Sequence, residues 1–250
     1  YFTSQQSFID INRRFSRAYD GTASDIISNV YRECFYKSNP AIEVDACSNY
    51  VKFVSNYWTP FKIINYAASK AATNDEYKAS NFIFYESNKK FKFKSLNTLY
   101  EQKPATEYYY DSNQLRKQNK DGDSVRDIER EYKTASDLRI DSMTDYYDRM
   151  MLGALGHKTY EFDILHKTYN FHEYDYYYNF DKTKHLEKNK ACSDFIEFRS
   201  NARLSDIVSY PFAHNKVNRD MGAELLLKRT SLLAQTEMFK LELTVPGRTD

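Results

Sequence analysis

The stretch Tyr57-Trp58-Thr59-Pro60-Phe61-Lys62-Ile63-Ile64-Asn65-Tyr66-Ala67, followed by Phe82-Ile83-Phe84-Tyr85 and Phe91-Lys92-Phe93-Lys94, decides the fold class. Thr59 stands at an N-cap position and Pro60 at the first helical position, where a missing N–H costs nothing. Phe61, Ile64, Ala67, Ala68 and Ala71 then recur at helical spacing, and the small alanines allow close packing on a sheet. The sheet comes next. Two Phe-rich strands flank the turn residues Ser87-Asn88-Lys89. In the second strand Lys90, Lys92 and Lys94 share one face and Phe91 and Phe93 the other, as in a sheet with one solvated and one buried side. Helices and strands mixed without strict alternation predict an α+β fold.

Toward the N-terminus, Ser4 precedes a short helix. Thr22-Ala23-Ser24-Asp25 has the form of a capping box, with Asp in place of Glu. Ile26, Ile27, Val30, Tyr31, Cys34 and Phe35 follow on one helical face, so Cys34 reads as a small core residue. After Pro40, residues 42–46 and 51–54 alternate as strands. Beyond the hairpin, residues 111–142 are the most polar part of the chain and read as a loop or boundary, leading into a helix over 125–132. A helix over 143–155 ends at Gly153 and Gly156. Strands over 158–165 and 168–179 follow, with Tyr160, Phe162 and Ile164 alternating with charged residues and Tyr174, Tyr176 and Tyr178 on one face. Residues 181–203 are polar again. Met221, Leu225, Leu226, Leu232 and Leu233 mark a last helix, and Leu241, Leu243 and Val245 a last strand. The expected division is 1–110, an α+β segment with the Phe-rich hairpin; 111–142, the polar boundary; and 143–250, a β-rich segment. Strand-like residues at both ends make the chain read as a piece cut from a longer protein.

Composition narrows the function classes. The 250 residues are 41% hydrophobic and 28% charged, which excludes a disordered tail, and no apolar run approaches a membrane span. Lys and Arg (36) balance Asp and Glu (35), so the chain carries no overall charge signature for nucleic acid or anionic lipid. The cysteines, Cys34, Cys47 and Cys192, form no CxxC pair, which argues against a zinc knuckle or a disulfide framework. No phosphate-loop, dinucleotide, nucleophile-elbow or HExxH motif occurs. His157, His166 and His172 lie near Glu161, Asp163 and Glu173, but strand alternation throws these groups onto both faces. Asp145 and Asp148 sit on a charge-rich helix face. No catalytic residue, metal ligand or cofactor is therefore assigned.

The aromatic content remains: 23 Tyr and 17 Phe against a single Trp. Tyr108, Tyr109 and Tyr110, and again Tyr176, Tyr177 and Tyr178, must place rings on both faces of any strand they occupy. Tyr tolerates half-wet positions and is enriched at protein interfaces, so both triplets are candidate subunit contacts. Trp58, Pro60 and Phe61 are the candidate structural anchors.

The order of these segments resembles the central baseplate-hub proteins of contractile-tailed bacteriophages. The resemblance rests on Tyr1-Phe2-Thr3-Ser4 before a helix, Phe15-Ser16-Arg17-Ala18-Tyr19-Asp20-Gly21, the Trp58-Thr59-Pro60-Phe61 helix start, and the hairpin running into Ser95-Leu96. Leu232-Leu233-Ala234-Gln235 leading to Leu243-Thr244-Val245-Pro246-Gly247 is similar to the family's helix and returning barrel strand. The resemblance implies tail-tube-like β-barrels with inserted helices and hairpins. It also implies a virion structural protein, assembled in the host cytoplasm, with no enzyme activity and no cofactor. Three copies would form a ring adapting the sixfold tail tube to the threefold spike. The implied partners are the homotrimer itself, the spike protein and tail-tube or tube-initiator proteins. No membrane and no specific nucleic acid are implied, although DNA would pass through the lumen. Two other readings stay open: a Tyr-rich polysaccharide- or peptide-binding module, and a hydrolase with an acidic site around Glu161, Asp163 and Glu173.

Overall fold

The helix α2, Ala23–Phe35, organises the larger part of the molecule. Its start is the capping box read from the sequence: the Asp25 N–H donates to Thr22 Oγ1 at 3.2 Å, and the Thr22 hydroxyl donates to the Asp25 carboxylate at 2.7 Å. From there Ile26, Ile27, Val30, Tyr31, Cys34 and Phe35 are all buried. In the computed structural model the described residues are 4–36, 41–87, 90–110, 116–118, 124–126, 132–141, 144–163, 167–190, 204–210, 216–236 and 240–247. The chain separates into two compact units, one of residues 1–101 and 150–235 and the other of residues 102–149 and 236–250.

The first unit opens with α1 (Gln5–Asn12) and β1 (Ala18–Thr22), the latter running directly into α2. β2 (Ile42–Val44), β3 (Tyr50–Val54), α3 (Pro60–Ser69), β4 (Phe82–Ser87), β5 (Lys90–Ser95) and α4 (Leu96–Tyr100) follow. β1 pairs antiparallel with β3. β5 is the centre of a three-stranded sheet, antiparallel to β4 and parallel to β2. Its alternation is as read: Phe91 and Phe93 are buried, and the lysines between them are not. Phe91 meets Tyr31, Phe35, Phe61 and Phe84 with ring centroids 5.3–6.5 Å apart, so α2, α3 and the sheet share one aromatic core. Fully burying side chains of this size contributes about 1.5–3 kcal/mol each. Ala67, Ala68 and Ala71 let α3 approach closely, and all three are buried.

The same unit continues after residue 150. β11 (Gly156–Asp163) pairs antiparallel with β12 (Thr168–Asp175) and parallel with β13 (Leu204–Tyr210), so among the described residues β12 and β13 are the sheet edges. A short helix α6 (Tyr176–Asn179) follows β12, and the long α7 spans Lys216–Thr236.

The second unit holds β6 (Tyr109–Tyr110), parallel to β9 (Thr134–Ala135). It also holds the hairpin of β7 (Arg116–Gln118) and β8 (Ser124–Arg126), and an antiparallel ribbon of β10 (Asp137–Asp141) and β14 (Lys240–Thr244). The helix α5 (Thr144–Met151) straddles the division between the units in sequence.

Helices mix with small sheets, an α+β fold. The expected tail-tube-like β-barrel is not seen: among the described residues the strands form four two-stranded and two three-stranded sheets, none closed. Other expectations are corrected locally. Val125 lies in a strand where a helix was expected, and residues 127–131 are outside the described set. The strand expected over 168–179 stops at Asp175, whose side chain accepts from the Tyr178 N–H at 3.0 Å and starts a helical turn. The helix expected over 143–155 ends at Met151, and Gly153 turns the chain at φ +88°.

Candidate functional site

The candidate anchor residues Trp58, Pro60 and Phe61 form a continuous patch on the core of the first unit. Thr59 caps α3, accepting from the Lys62 N–H at 3.2 Å, and Pro60 occupies the first turn. A second group completes this helix start: the Phe61 N–H donates to Asp10 Oδ1 of α1 at 2.6 Å. Trp58 and Phe15 exchange both backbone hydrogen bonds, at 2.9 and 3.1 Å, as an isolated bridge. The Trp58 ring lies against Phe53 at 6.1 Å and Tyr66 at 5.1 Å, with the Lys62 ammonium 5.2 Å from its centroid. Trp58 is half-buried rather than fully enclosed, and Phe61 packs on Phe35 at 5.1 Å. Pro60 is buried. The distant segments Phe15–Trp58 and Phe61–Phe84 thus converge on one cluster.

The two tyrosine triplets differ. Tyr108, Tyr109 and Tyr110 are 43%, 47% and 52% exposed, a run of rings on the surface of the second unit. In the other triplet Tyr176 and Tyr177 are buried, packing edge-on against each other and, through Tyr176, on Phe180. Only Tyr178 is open, at 70%. The helical turn started by Asp175 explains the split, because three successive helical residues point 100° apart.

A second uncovered surface was not read from the sequence. In the β10–β14 ribbon Ile140 lies opposite Leu241 and Leu138 opposite Leu243, so one face is apolar, while Arg139 and Glu242 face the other way. Ile140 and Leu241 are each 58% exposed. The alternation Leu138-Arg139-Ile140 was the available signal.

The polar residues around the β11–β12 hairpin do not converge as a hydrolase site. Register puts Glu161 on the face shared by His157, Thr159 and His172, and Glu173 on the opposite face with Lys158. The buried face is the polar one: His157 and Thr159 are fully enclosed and Glu161 is 1% exposed, whereas Phe162 faces out. Glu161 Oε2 lies 3.3 Å from His172 Nε2. Lys158 pairs with Glu173 at 2.8 Å. Asp163 ends β11, Asp145 lies in α5, Asp148 is exposed, and His166 is outside the described residues. No group of three metal-ligating side chains occurs among the described residues. Cys34 and Cys47 are buried free thiols, and burial pushes Cys47 up to about 12. No described helix is long and apolar enough to cross a membrane.

No family model and no curated protein matches the chain. Among solved structures, the chain is similar to the tail protein from Neisseria meningitidis MC58, at 10% identity and a TM-score of 0.48. The alignment covers 96% of this chain and 56% of that one, so the chain spans little more than half that protein's length.

Proposed function

We propose that this chain is a structural subunit of a phage-tail baseplate hub, three copies of which form a ring adapting the sixfold tail tube to the threefold spike. The observation that carries the reading is the convergence of the resembling segments. Phe15, the Trp58-Thr59-Pro60-Phe61 helix start and the Phe-rich hairpin lie far apart in sequence, yet they pack into one aromatic core in the first unit. The uncovered rings of Tyr108, Tyr109 and Tyr110 and the apolar ribbon face of Ile140 and Leu241 are surfaces suited to neighbouring copies. In this reading the tube-like β-barrel is a property of the assembled ring, to which each copy contributes its ribbon. The protein resides in the virion, contacts the spike and the tail-tube or tube-initiator proteins, and catalyses no reaction. Near-zero net charge suits a wall past which DNA travels without being held.

Quantitative mass spectrometry of purified tails tests the reading. Three copies of the chain per tail are expected. Six copies, or absence from the particle, would refute it.

A further inference from the structure

We infer that the open edge of β12 is a docking site for an extended, positively charged polypeptide segment, which adds to the sheet as a further strand. β12 pairs with β11 on one side and, among the described residues, with no backbone on the other. Its free edge runs along a cleft of about 930 Å³ in the first unit, lined by five consecutive strand residues, 171–175. Both faces of a strand line one cleft only where the cleft follows the strand's edge, so the N–H and C=O groups that β12 turns away from β11 are offered to it, apart from the Asp175 C=O, which accepts from Asn179 Nδ2 at 2.8 Å. Five residues rise about 16 Å, room for a matching stretch of four or five partner residues. Edge addition of this kind takes its affinity from main-chain hydrogen bonds and its specificity from the side chains around the edge.

Charge selects the occupant. Two of the three lysines in the cleft wall are paired with carboxylates, Lys228 with Glu224 at 2.7 Å and Lys184 with Glu101 at 3.0 Å, while Lys182 lies over the Tyr178 ring at 3.4 Å and keeps its charge. Asp75, Glu76 and Asp175 also line the cleft, and none has an ion pair among the described residues. Asp75 accepts only from neutral donors, Thr73 Oγ1 and the Lys78 N–H among them, and Asp175 from the Tyr178 N–H. Three carboxylates against one unpaired lysine leave the cleft net negative beside the open strand edge, which suits a strand carrying lysine or arginine and repels an acidic one. This inference does not depend on the hub reading, since the second unit's surfaces play no part in it.

The test is fluorescence anisotropy of the 250-residue chain with a labelled seven-residue peptide of alternating lysine and valine. Two control peptides accompany it: the same sequence with alternate amides N-methylated, and a glutamate–valine analogue. Saturable binding of the lysine peptide is expected, with amide protection appearing in β12 by hydrogen exchange. Loss of two or more edge hydrogen bonds should weaken the N-methylated peptide about tenfold or more. Glu76→Lys, at an exposed position, should weaken the parent peptide while leaving the melting temperature unchanged. Absence of saturable binding would overturn the inference, as would equal binding of the N-methylated peptide. Occupation of the cleft by an oligosaccharide such as chitohexaose, with no peptide binding, would overturn it too.

Discussion

Replacing Trp58 with Ala removes a ring that is half-buried against Phe53 and Tyr66, while the backbone bridge to Phe15 survives because it uses only main-chain atoms. Roughly 100–150 Å² of buried ring surface is lost, and at about 25 cal/mol/Å² this corresponds to about 2.5–4 kcal/mol. Areas referred to an extended chain overstate the loss by about 10–40%, which leaves about 2–3 kcal/mol. That is below the roughly 3–5 kcal/mol of a fully enclosed Trp, and the difference reflects the open side of the indole. Trp58→Phe keeps the stack on Phe53 and should cost about 1 kcal/mol. Because Trp58 is the only tryptophan, its substitution also removes the natural fluorescent probe. Urea unfolding should therefore be followed by far-ultraviolet circular dichroism. A loss under about 1 kcal/mol for Trp58→Ala would show that the α3 start is not docked through this ring.

Thr22→Ala removes the cap on α2, both the acceptor of the Asp25 N–H and the donor to the Asp25 carboxylate, and should cost about 1 kcal/mol in urea unfolding, with Thr22→Ser restoring most of it. Burial raises the phenols of Tyr31 and Tyr174 to about 12. Their unfolded-state value is near 10, so the unfolded chain releases these protons first; the stability they contribute is intact below about pH 10 and lost as pH rises toward 12. Tyr174→Phe should flatten that alkaline decline in thermal unfolding scans, at the cost of the Gln235 Nε2 hydrogen bond at neutral pH. Cys34 and Cys47, both buried with raised pKa values, should stay unmodified by an aromatic disulfide reagent at pH 8 in the native chain and react once it is unfolded in guanidinium, as read by peptide mass spectrometry.

The elements legible in the sequence are those whose signal is local. Thr22 and Thr59 announce their helices by caps, and the Phe–Lys alternation of β5 announces both its state and its buried face. β1 was missed because Ala18-Tyr19-Asp20-Gly21-Thr22 has no apolar run; its strand conformation comes from pairing with β3 some thirty residues on. For β11 the alternation gave a strand but not its inward face. The enclosed side carries His157, Thr159 and Glu161, whose carboxylate faces His172 across the hairpin, and Phe162 is on the open side. Periodicity of two says that the faces differ but not which of them the fold encloses. The split of the second tyrosine triplet was legible in principle, since Asp175 three residues before Tyr178 is a helix-cap signal. The ribbon of β10 and β14 joins residues about a hundred positions apart, and no local pattern specifies such a partner.

The central claim, a threefold ring held through the second unit's uncovered surfaces, is tested most directly by electron cryo-microscopy of the assembled tail tip. Three copies of this chain around the tail axis are expected, with Tyr108, Tyr109 and Tyr110 or the Ile140–Leu241 face in contact with a neighbouring copy. A ring of any other copy number, or a threefold ring in which both surfaces remain in solvent, would contradict it.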